Sequence, residues 1–369
     1  MGPRLEAAPR TQRTPARRRR LRVAALALGS TVAILAAELA IRIVVAVRHP
    51  SLMVVDDELG WRHAAGVERT LQNELGQRVV VAFDERGLRA TPHPTARTPG
   101  VARVLVVGDS FVEGAMADAP DLWTVLLDAR LGDEVEIFNG GHGGYGTVQQ
   151  LLWLQRDGLA FAPDVVVHVL FANDLFDNTT PFLEGVGARP FATLDGGELR
   201  LHPVDAAAFE PFLMPFPFRT WFHRHSALYR SLHKNVFLPA AGARLRDDAN
   251  RRRDATPVAV QREVLLALLE RMQQTVSRAG ASWVLVLAPS VVEAAARRSE
   301  THAVVAEWAA ARGIPCLSLL DAVQPASPDD APSYLPLDTH WTREGHARVA
   351  AAVEPFVRAA VDPGAPRPR

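Results

Sequence analysis

The residues of this chain whose types point to chemistry lie in four short polar segments that are far apart in sequence. These segments are Gly108-Asp109-Ser110, Asn139 to Gly146, Asn173-Asp174 and Asp338-Thr339-His340. A serine hydroxyl is a weak nucleophile at neutral pH unless a base takes its proton, and histidine is the most frequent base. We therefore expect Ser110 to be a nucleophile and His340 its base, with Asp338 accepting a hydrogen bond from the other imidazole nitrogen.

A serine that attacks a carbonyl also needs hydrogen-bond donors for the oxyanion that forms. The candidates are the backbone N–H of Ser110, the backbone N–H of Gly144 in a glycine-rich loop, and the side-chain amide of Asn173. Loss of one such donor typically costs about 2.7–4 kcal/mol of transition-state stabilisation. These three groups therefore matter nearly as much as the base.

Each motif also has an ordinary structural explanation. Gly-Asp-Ser forms good turns and helix N-caps, Asn-Asp after a strand is common turn chemistry, and a glycine-rich loop can hold a phosphate. His346 is a second choice for the base, and His142 in the glycine-rich loop is a candidate substrate contact. Asp109 either orients the nucleophile turn or has a purely structural role. The joint occurrence of the motifs favours a serine-nucleophile site.

Five apolar, β-branched runs predict the sheet that brings these motifs together. The runs are Val104–Gly108, Val135–Asn139, Val165–Phe171, Trp283–Ala288 and Ile314–Leu320. Helical patterns such as Arg262–Arg278 lie between them, and unbroken apolar runs are typical of parallel strands that are covered on both faces. The sequence predicts an α/β fold with a doubly wound five-stranded parallel sheet. Ligands bind at the carboxyl ends of such strands, and the polar motifs follow the strands there.

These blocks, from about Val101 to Val361, resemble the SGNH (GDSL-type) hydrolases. The resemblance implies a flavodoxin-like fold and assigns the family's catalytic serine, glycine, asparagine, aspartate and histidine to Ser110, Gly144, Asn173, Asp338 and His340. The chain departs from the family in two blocks, because Phe171 replaces a usual glycine and the last block is Asp-x-His where Asp-x-x-His is frequent. The shorter block, with Trp341 after it, is similar to SGNH domains of polysaccharide O-acetylation systems.

The sequence therefore predicts a serine esterase that acts through an acyl–Ser110 intermediate, with an O-acylated glycan as a candidate substrate. Three alternatives remain open: acyl transfer to a sugar hydroxyl, a non-catalytic module that binds a glycan or a partner protein, and an aromatic insert that binds a membrane surface or partner while catalysis is secondary. No cofactor and no metal are expected, because the single cysteine, Cys316, excludes a cysteine-cluster zinc site and a disulfide framework. The formal net charge of zero argues against a nucleic-acid partner.

The N-terminal region carries most of its positive charge before one long apolar stretch. Residues 1–22 contain eight arginines and are predicted to be a basic cytoplasmic tail, and residues 23–47 are predicted to be a transmembrane helix. This stretch is long enough to cross a hydrocarbon core of roughly 30 Å. The positive-inside rule then places the rest of the chain outside the cytoplasm, on the periplasmic side of a bacterial inner membrane. A cleaved signal peptide is the alternative. Glu38 and Arg42, at i,i+4 spacing, can neutralise one another.

Two further regions flank or interrupt the predicted catalytic domain, residues 99–363. Residues 48–98 are predicted to be a β-rich extension and linker that contains a strand at Arg78–Phe83. An insert, residues 176–256, breaks the alternation of strands and helices. It is predicted to contain a hairpin at Phe191–Leu201, an amphipathic helix at Thr220–Lys234 and a charged loop at Arg244–Asp254.

Overall fold

The computed structural model describes residues 15–48, 51–327 and 329–362. Most of the predicted basic tail, residues 1–14, lies outside the described residues. The strands of the described residues are, in chain order, β1 (Met53–Asp56), β2 (Gly60–His63), β3 (Val67–Gln72), β4 (Arg78–Phe83), β5 (Ala102–Gly108), β6 (Val135–Gly141), β7 (Val165–Phe171), β8 (Phe182–Leu183), β9 (Gly187–Ala188), β10 (Phe191–Asp195), β11 (Glu198–His202), β12 (Ser282–Ala288) and β13 (Cys316–Ser318).

The α-helices surround these strands and also form the N-terminal segment and much of the insert. They are α1 (Pro15–Arg48), α2 (Ser110–Glu113), α3 (Trp123–Leu131), α4 (Thr147–Arg156), α5 (Asp174–Asp177), α6 (Ala206–Phe209), α7 (Arg219–His225), α8 (Ala227–Leu232), α9 (Leu238–Arg253), α10 (Val258–Arg278), α11 (Val291–Ala296), α12 (Glu300–Ala310) and α13 (Arg343–Val361). A π-helical turn, His233–Phe237, joins α8 to α9.

The central sheet has five parallel strands in the order β13-β12-β7-β5-β6. The chain leaves β5 toward β6 on one side and then crosses back to β7 on the other, so the topology reverses between β5 and β7. Open α/β sheets bind their ligands outside the carboxyl ends of the strands at such a reversal. The predicted fold class and all five predicted strands are confirmed, although β13 is shorter than the predicted run.

Both faces of this sheet are buried, which explains the unbroken apolar runs. On one face, side chains such as Leu105 and Val166 pack with α4, α10 and α12. On the other face, side chains such as Val104 and Val167 pack with α3 and α13. Successive strand residues point to opposite faces, so a strand covered on both sides is apolar at every position. The sheet is therefore the middle layer of three, and the polar motifs lie at the carboxyl ends of its strands.

The N-terminal extension forms two antiparallel hairpins, β1-β2 and β3-β4, which pack beside the catalytic domain. The predicted strand Arg78–Phe83 coincides with β4, and its buried Val79, Val81 and Phe83 form a small core of their own. In the insert, the predicted hairpin is confirmed as β10-β11, with Gly196 and Gly197 at positive φ in the turn. The boundaries proposed above for the domains remain predictions.

The helical part of the insert differs from the sequence prediction in two ways. The predicted single helix Thr220–Lys234 is wrong, because it is interrupted at Ser226, whose side chain accepts the Tyr229 N–H at 3.0 Å and starts a new helix, α8. The predicted charged loop Arg244–Asp254 is also wrong, because residues up to Arg253 belong to α9. Asp248 pairs with arginines one turn further along α9, and the other face of the helix is buried by Leu245 and Ala249. Leu245 and Ala249 have the i,i+4 spacing of one helix face, but the many charged residues around them led to the prediction of a loop.

Candidate active site

The nucleophile turn lies between β5 and α2. Asp109 caps α2, because its carboxylate accepts the backbone N–H of Phe111 at 2.9 Å. A Cβ at Gly108 would lie 2.4 Å from Cγ2 of Val112, so the close return of the helix requires glycine there. Burial raises the pKa of Asp109, and the negative charge of Asp174 adds to that shift. Ser110 is therefore the first residue of a short helix at the carboxyl end of a central strand.

Three of the predicted site residues are joined by direct hydrogen bonds. The Ser110 hydroxyl lies 2.8 Å from His340 Nε2, and His340 Nδ1 lies 2.5 Å from Asp338 Oδ1. With the imidazole proton on Nδ1, His340 donates to Asp338 and accepts from Ser110. The bond with His340 lowers the pKa of Asp338, which keeps this carboxylate ionised. This is the arrangement in which a histidine removes the proton of a serine nucleophile.

The loop that carries the histidine is held by its own backbone and by the extension. Thr339 has a φ of +67°, which is unusual for a β-branched residue and lets Asp338 and His340 meet across a one-residue spacer. The His340 carbonyl accepts the Leu335 N–H at 2.8 Å, which closes the loop. Glu74, in the β3-β4 turn, accepts the backbone N–H of Asp338 at 3.0 Å. The shorter last block is thus accommodated by backbone strain at Thr339.

The glycine-rich loop after β6 lies between the nucleophile helix and α5. A Cβ at Gly141 would lie 2.2 Å from the Glu113 nitrogen, and a Cβ at Gly146 would lie 3.1 Å from Cβ of Asp177. Gly144 has a φ of +75°. The loop is joined to the nucleophile turn by the His142 N–H, which donates to the Gly108 carbonyl at 3.0 Å.

Asn173 follows β7 and is oriented by a chain of polar contacts. Its Nδ2 donates to Asp177 Oδ2 at 2.8 Å, and Asp177 is paired with the buried Arg189 at 2.5 Å. The Asn173 Oδ1 is buried and has no partner among the described residues. Since a side-chain amide carries two N–H groups, one of them remains available after the bond to Asp177.

Asp174, next to Asn173, is fully buried and connects the Asn173-Asp174 segment to α4. Its carboxylate accepts hydrogen bonds from the Phe171 N–H at 2.9 Å and from the Thr147 hydroxyl at 2.8 Å. Burial raises the pKa of Asp174 to about 7. Phe171, which replaces the usual glycine, stacks on Phe111 with ring centroids 4.0 Å apart. The departure from the family pattern therefore adds an aromatic contact beside Ser110.

Residues of the extension also hold the glycine-rich loop in place, and no sequence motif indicated this role. Trp61 donates its indole N–H to the Gly143 carbonyl at 3.0 Å, and the Tyr145 hydroxyl donates to the Trp61 carbonyl at 2.6 Å. The Gly143 N–H donates to Glu113 Oε2 at 2.5 Å, and His63 Nε2 lies 3.2 Å from the same oxygen. The β1-β2 hairpin is therefore part of the support of the site.

The two other histidines considered from the sequence do not line the site. His346 is buried at the start of α13, where burial lowers its pKa to about 3 and its Nδ1 accepts the Trp123 N–H at 3.2 Å. His142 is 3 % exposed and is stacked between His63 and Tyr145. The prediction that His142 contacts substrate is wrong, because these rings cover it. Within residues 15–48, 51–327 and 329–362, no three His, Cys, Asp or Glu side chains are grouped to hold a metal ion.

Comparison with known sequences identifies the family. The sequence model described as GDSL-like Lipase/Acylhydrolase family matches residues 106–348, which is more than half of the chain. The chain belongs to the GDSL-like lipase/acylhydrolase family. It is therefore an esterase or acylhydrolase, and the matched region contains the nucleophile turn, the glycine-rich loop, the Asn173-Asp174 segment and the loop that carries His340. No curated protein sequence matches the chain significantly.

Solved structures of this family resemble the chain at low sequence identity. A lipase/acylhydrolase from Enterococcus faecalis is 16 % identical, with 72 % of this chain and 100 % of that chain covered and a TM-score of 0.38. An acetyl xylan esterase, AlAXEase, is 14 % identical, with 68 % and 97 % covered and a TM-score of 0.37. A carbohydrate acetylesterase family member from Sinorhizobium meliloti is 15 % identical, with 71 % and 99 % covered and a TM-score of 0.36.

Proposed function

We propose that this acylhydrolase is a membrane-anchored serine esterase in which Ser110 is the nucleophile, His340 the general base and Asp338 the group that orients the base. The observation that carries this proposal is the continuous hydrogen-bonded line from the Ser110 hydroxyl through both nitrogens of His340 to Asp338, at 2.8 Å and 2.5 Å. The Asp338 carboxylate holds the imidazole in the tautomer that accepts the serine proton and stabilises the imidazolium that results.

The reaction proceeds in two half-reactions. Ser110 Oγ attacks the ester carbonyl carbon while its proton passes to His340 Nε2, and the resulting tetrahedral oxyanion collapses when the imidazolium protonates the departing alkoxide. The alcohol leaves and an acyl–Ser110 ester remains. Water then attacks this ester, His340 again takes a proton, and Ser110 is regenerated with release of the carboxylic acid.

The oxyanion hole of this proposal consists of the backbone N–H groups of Ser110 and Gly144 and the side-chain amide of Asn173. Support comes from topology, because these three donors follow β5, β6 and β7, whose carboxyl ends are adjacent in the parallel sheet. The bonds that hold Gly143 and Asn173 keep the donors in place before substrate binds, and such preorganisation is what makes an oxyanion hole effective.

For the substrate, we propose an ester-linked acyl group on a carbohydrate. The support is the similarity of the Asp338-Thr339-His340-Trp341 block to SGNH domains of polysaccharide O-acetylation systems. Transfer of the acyl group to a sugar hydroxyl is the alternative outcome, because both reactions share the first half-reaction and differ only in whether water or a sugar hydroxyl attacks the acyl–Ser110 ester. Product analysis with and without an added glycan acceptor separates the two.

The membrane anchor is proposed from α1. Among the described residues, this helix alone is long and apolar enough to cross a membrane, over Ala16–Ala46, and a signal sequence passes the same test. Retention of α1 is favoured by Glu38, which accepts hydrogen bonds from the insert and which a cleaved chain would lack. The arginines before α1 favour a cytoplasmic N-terminus and an extracytoplasmic catalytic domain. The orientation is tested by fusing alkaline phosphatase after Arg369 in a bacterial host, where we expect the fusion to be active. An inactive fusion would indicate that the catalytic domain lies in the cytoplasm.

Hydrolysis of p-nitrophenyl esters of increasing acyl length tests the esterase proposal. We expect the full chain in detergent to hydrolyse short acyl esters with burst kinetics, and Ser110→Ala to lose this activity without a change in the temperature of unfolding. Ser231→Ala, on α8 of the insert, is the matched control and should retain full activity. Hydrolysis by Ser110→Ala at the wild-type rate would contradict the assignment of the nucleophile.

A further inference from the structure

The apolar helix α1 is joined to the insert by one carboxylate with a full set of hydrogen-bond donors. Glu38 accepts hydrogen bonds from Arg42 Nε at 2.7 Å, Ser226 Oγ at 2.8 Å, the Ala227 N–H at 2.9 Å and the Leu228 N–H at 3.0 Å. Arg42 also donates to the His225 carbonyl. The end of α7 and the beginning of α8 are therefore fixed to α1 at Glu38.

The position of Glu38 along α1 determines where this contact lies relative to a membrane. This inference rests on the proposed anchoring by α1. A hydrocarbon core takes about 20 helical residues, so every window of that length within the apolar stretch, residues 23–47, includes Glu38. At ~1.5 Å per residue, Glu38 then lies about 6 to 14 Å inside the outer end of the window. The part of the insert that is bound to Glu38 must be at the same depth.

A charged side chain at this depth is costly unless it is paired and hydrogen-bonded. Glu38 satisfies this condition only because Arg42 and the insert surround it, and its four hydrogen bonds leave neither carboxylate oxygen unpaired. The carboxylate of Glu38, whose side chain is 19 % exposed, therefore fits a contact between α1 and α8 within the outer leaflet. An i,i+4 pair alone, exposed on a single helix, would leave the carboxylate with one partner.

The composition of the bound part of the insert matches a lipid interface. We call Phe216–Val236 the interfacial segment. It contains four Lys or Arg residues and no Asp or Glu, and two of the four, Arg219 and Arg224, pair with Glu210 and Asp57 outside the segment. Its large apolar side chains are unusually exposed, with Phe218 81 % and Trp221 56 % exposed. Aromatic side chains prefer the boundary between acyl chains and headgroups, while arginine and lysine reach toward anionic headgroups.

We propose that the interfacial segment inserts into the outer leaflet of the membrane that α1 crosses, with Phe218 and Trp221 among the acyl chains and the basic side chains at the headgroups. The occupant of this surface is thus a lipid bilayer that contains anionic lipid. The segment enters the membrane without crossing it, and the Glu38–Arg42 pair fixes it to α1. The catalytic domain is then attached to the membrane at two points, which restricts its orientation.

Tryptophan fluorescence provides a direct test, because the six other tryptophans of the chain are each at most 9 % exposed. The full chain is reconstituted in vesicles of phosphatidylethanolamine and phosphatidylglycerol (3:1), with brominated or ordinary acyl chains. We expect brominated chains to quench the fluorescence of the wild type and Trp221→Phe to lose more than half of that quenching. Trp308→Phe, which changes a covered tryptophan of α12, is the matched control and should retain it.

The outcomes separate this inference from the proposed function. If the chain floats with the vesicles but quenching is equal in the wild type and Trp221→Phe, the inference is wrong and the anchor is not affected. The same conclusion follows if a second copy of the chain or a soluble partner covers the segment. A chain that does not float would overturn both the anchor and the inference. Hydrolysis of a soluble p-nitrophenyl ester, measured on the same vesicles, reports on the esterase separately, and Trp221→Phe should not change it.

Hydrogen exchange tests the contact between α1 and α8 in the same vesicles. Glu38→Ala removes the acceptor of the Ala227 and Leu228 N–H groups, so these amides should exchange at least tenfold faster than in the wild type. Glu68→Ala, at an exposed position of β3, is the matched control and should leave them unchanged. Unchanged exchange in Glu38→Ala would contradict the contact and with it the depth assigned to the interfacial segment.

Discussion

Glu113 accepts a hydrogen bond from the backbone N–H of Gly143 at 2.5 Å. Glu113 is the last residue of α2, the helix that begins at Ser110, and Gly143 directly precedes Gly144. The bond therefore links the nucleophile helix to the loop that carries a proposed oxyanion donor. His63, from the N-terminal extension, lies 3.2 Å from the same carboxylate oxygen.

Glu113 is predicted to be a positioning residue for the oxyanion loop. Burial acts to raise the pKa of Glu113, but the positive charge and hydrogen bond of His63 and the Gly143 N–H lower it to about 2, so that it is ionised at neutral pH. We expect Glu113→Ala to lower kcat roughly tenfold to a hundredfold with little change in KM, since the affected contact acts in the transition state. Glu113→Gln retains an acceptor and should recover part of the loss. Steady-state kinetics with an unchanged kcat for Glu113→Ala would remove this role.

Asn173 is predicted to donate to the oxyanion. Asn173→Ala removes the side-chain amide and should lower kcat by ~10²–10³, with a smaller change in KM, because the bond is stronger in the transition state than in the ground state. Kinetics on a short-chain p-nitrophenyl ester check this. A variant with wild-type kcat would exclude Asn173 from the oxyanion hole.

Variants of Asp338 and His346 distinguish the proposed base, His340, from the alternative base, His346. His346 is buried and accepts the Trp123 N–H, so His346→Gln should keep the acidic limb of the kcat/KM profile while lowering stability. Asp338→Asn should lower kcat by about 10²–10⁴, because an amide no longer fixes the tautomer of His340. The opposite pattern, with a lost acidic limb in His346→Gln and normal kcat in Asp338→Asn, would make His346 the base.

Asp174 is predicted to make the stability of the fold dependent on pH. Burial raises the pKa of Asp174 to about 7, above the value of about 3.9 expected in the unfolded chain. The folded state therefore binds this proton more tightly, and the contribution to stability is complete below about pH 4 and is lost as the pH rises through 7. The difference in unfolding free energy between the wild type and Asp174→Asn should shift in favour of the variant by roughly 4 kcal/mol between pH 4 and pH 8. Denaturant titrations that show a constant difference would contradict this.

The fold was predictable from the sequence because its central strands are covered on both faces, which imposes apolar residues at every position, as in Val165–Phe171. The contacts of Ser110, Asp338 and His340 were predictable for the same reason, since the motifs follow strands whose carboxyl ends share one edge. The contacts by which the N-terminal extension holds the site in place were not predictable. Trp61 and Glu74 reach the site from the extension, and a single sequence contains no pattern that joins residues so far apart.

The helical insert was predicted less well because its signals conflict. Arg244–Asp254 has the composition of a solvated loop, yet α9 continues through it, since Leu245 and Ala249 are buried one turn apart. The helix is interrupted at Ser226, because the Ser226 hydroxyl caps the start of α8 and also donates a hydrogen bond to Glu38. Glu38 lies 188 residues before Ser226 in the chain, so no pattern in the sequence around Ser226 indicates this contact.

Covalent labelling of Ser110 tests the central claim most directly. A fluorophosphonate reacts with a serine only when a neighbouring base activates it, and the modified residue is identified by mass spectrometry of the digested chain. We predict that Ser110 is the labelled residue, that Ser110→Ala abolishes labelling, and that His340→Ala slows it at least a hundredfold. Labelling of Ser110→Ala at another serine, or labelling of Ser110 at the wild-type rate in His340→Ala, would contradict the account.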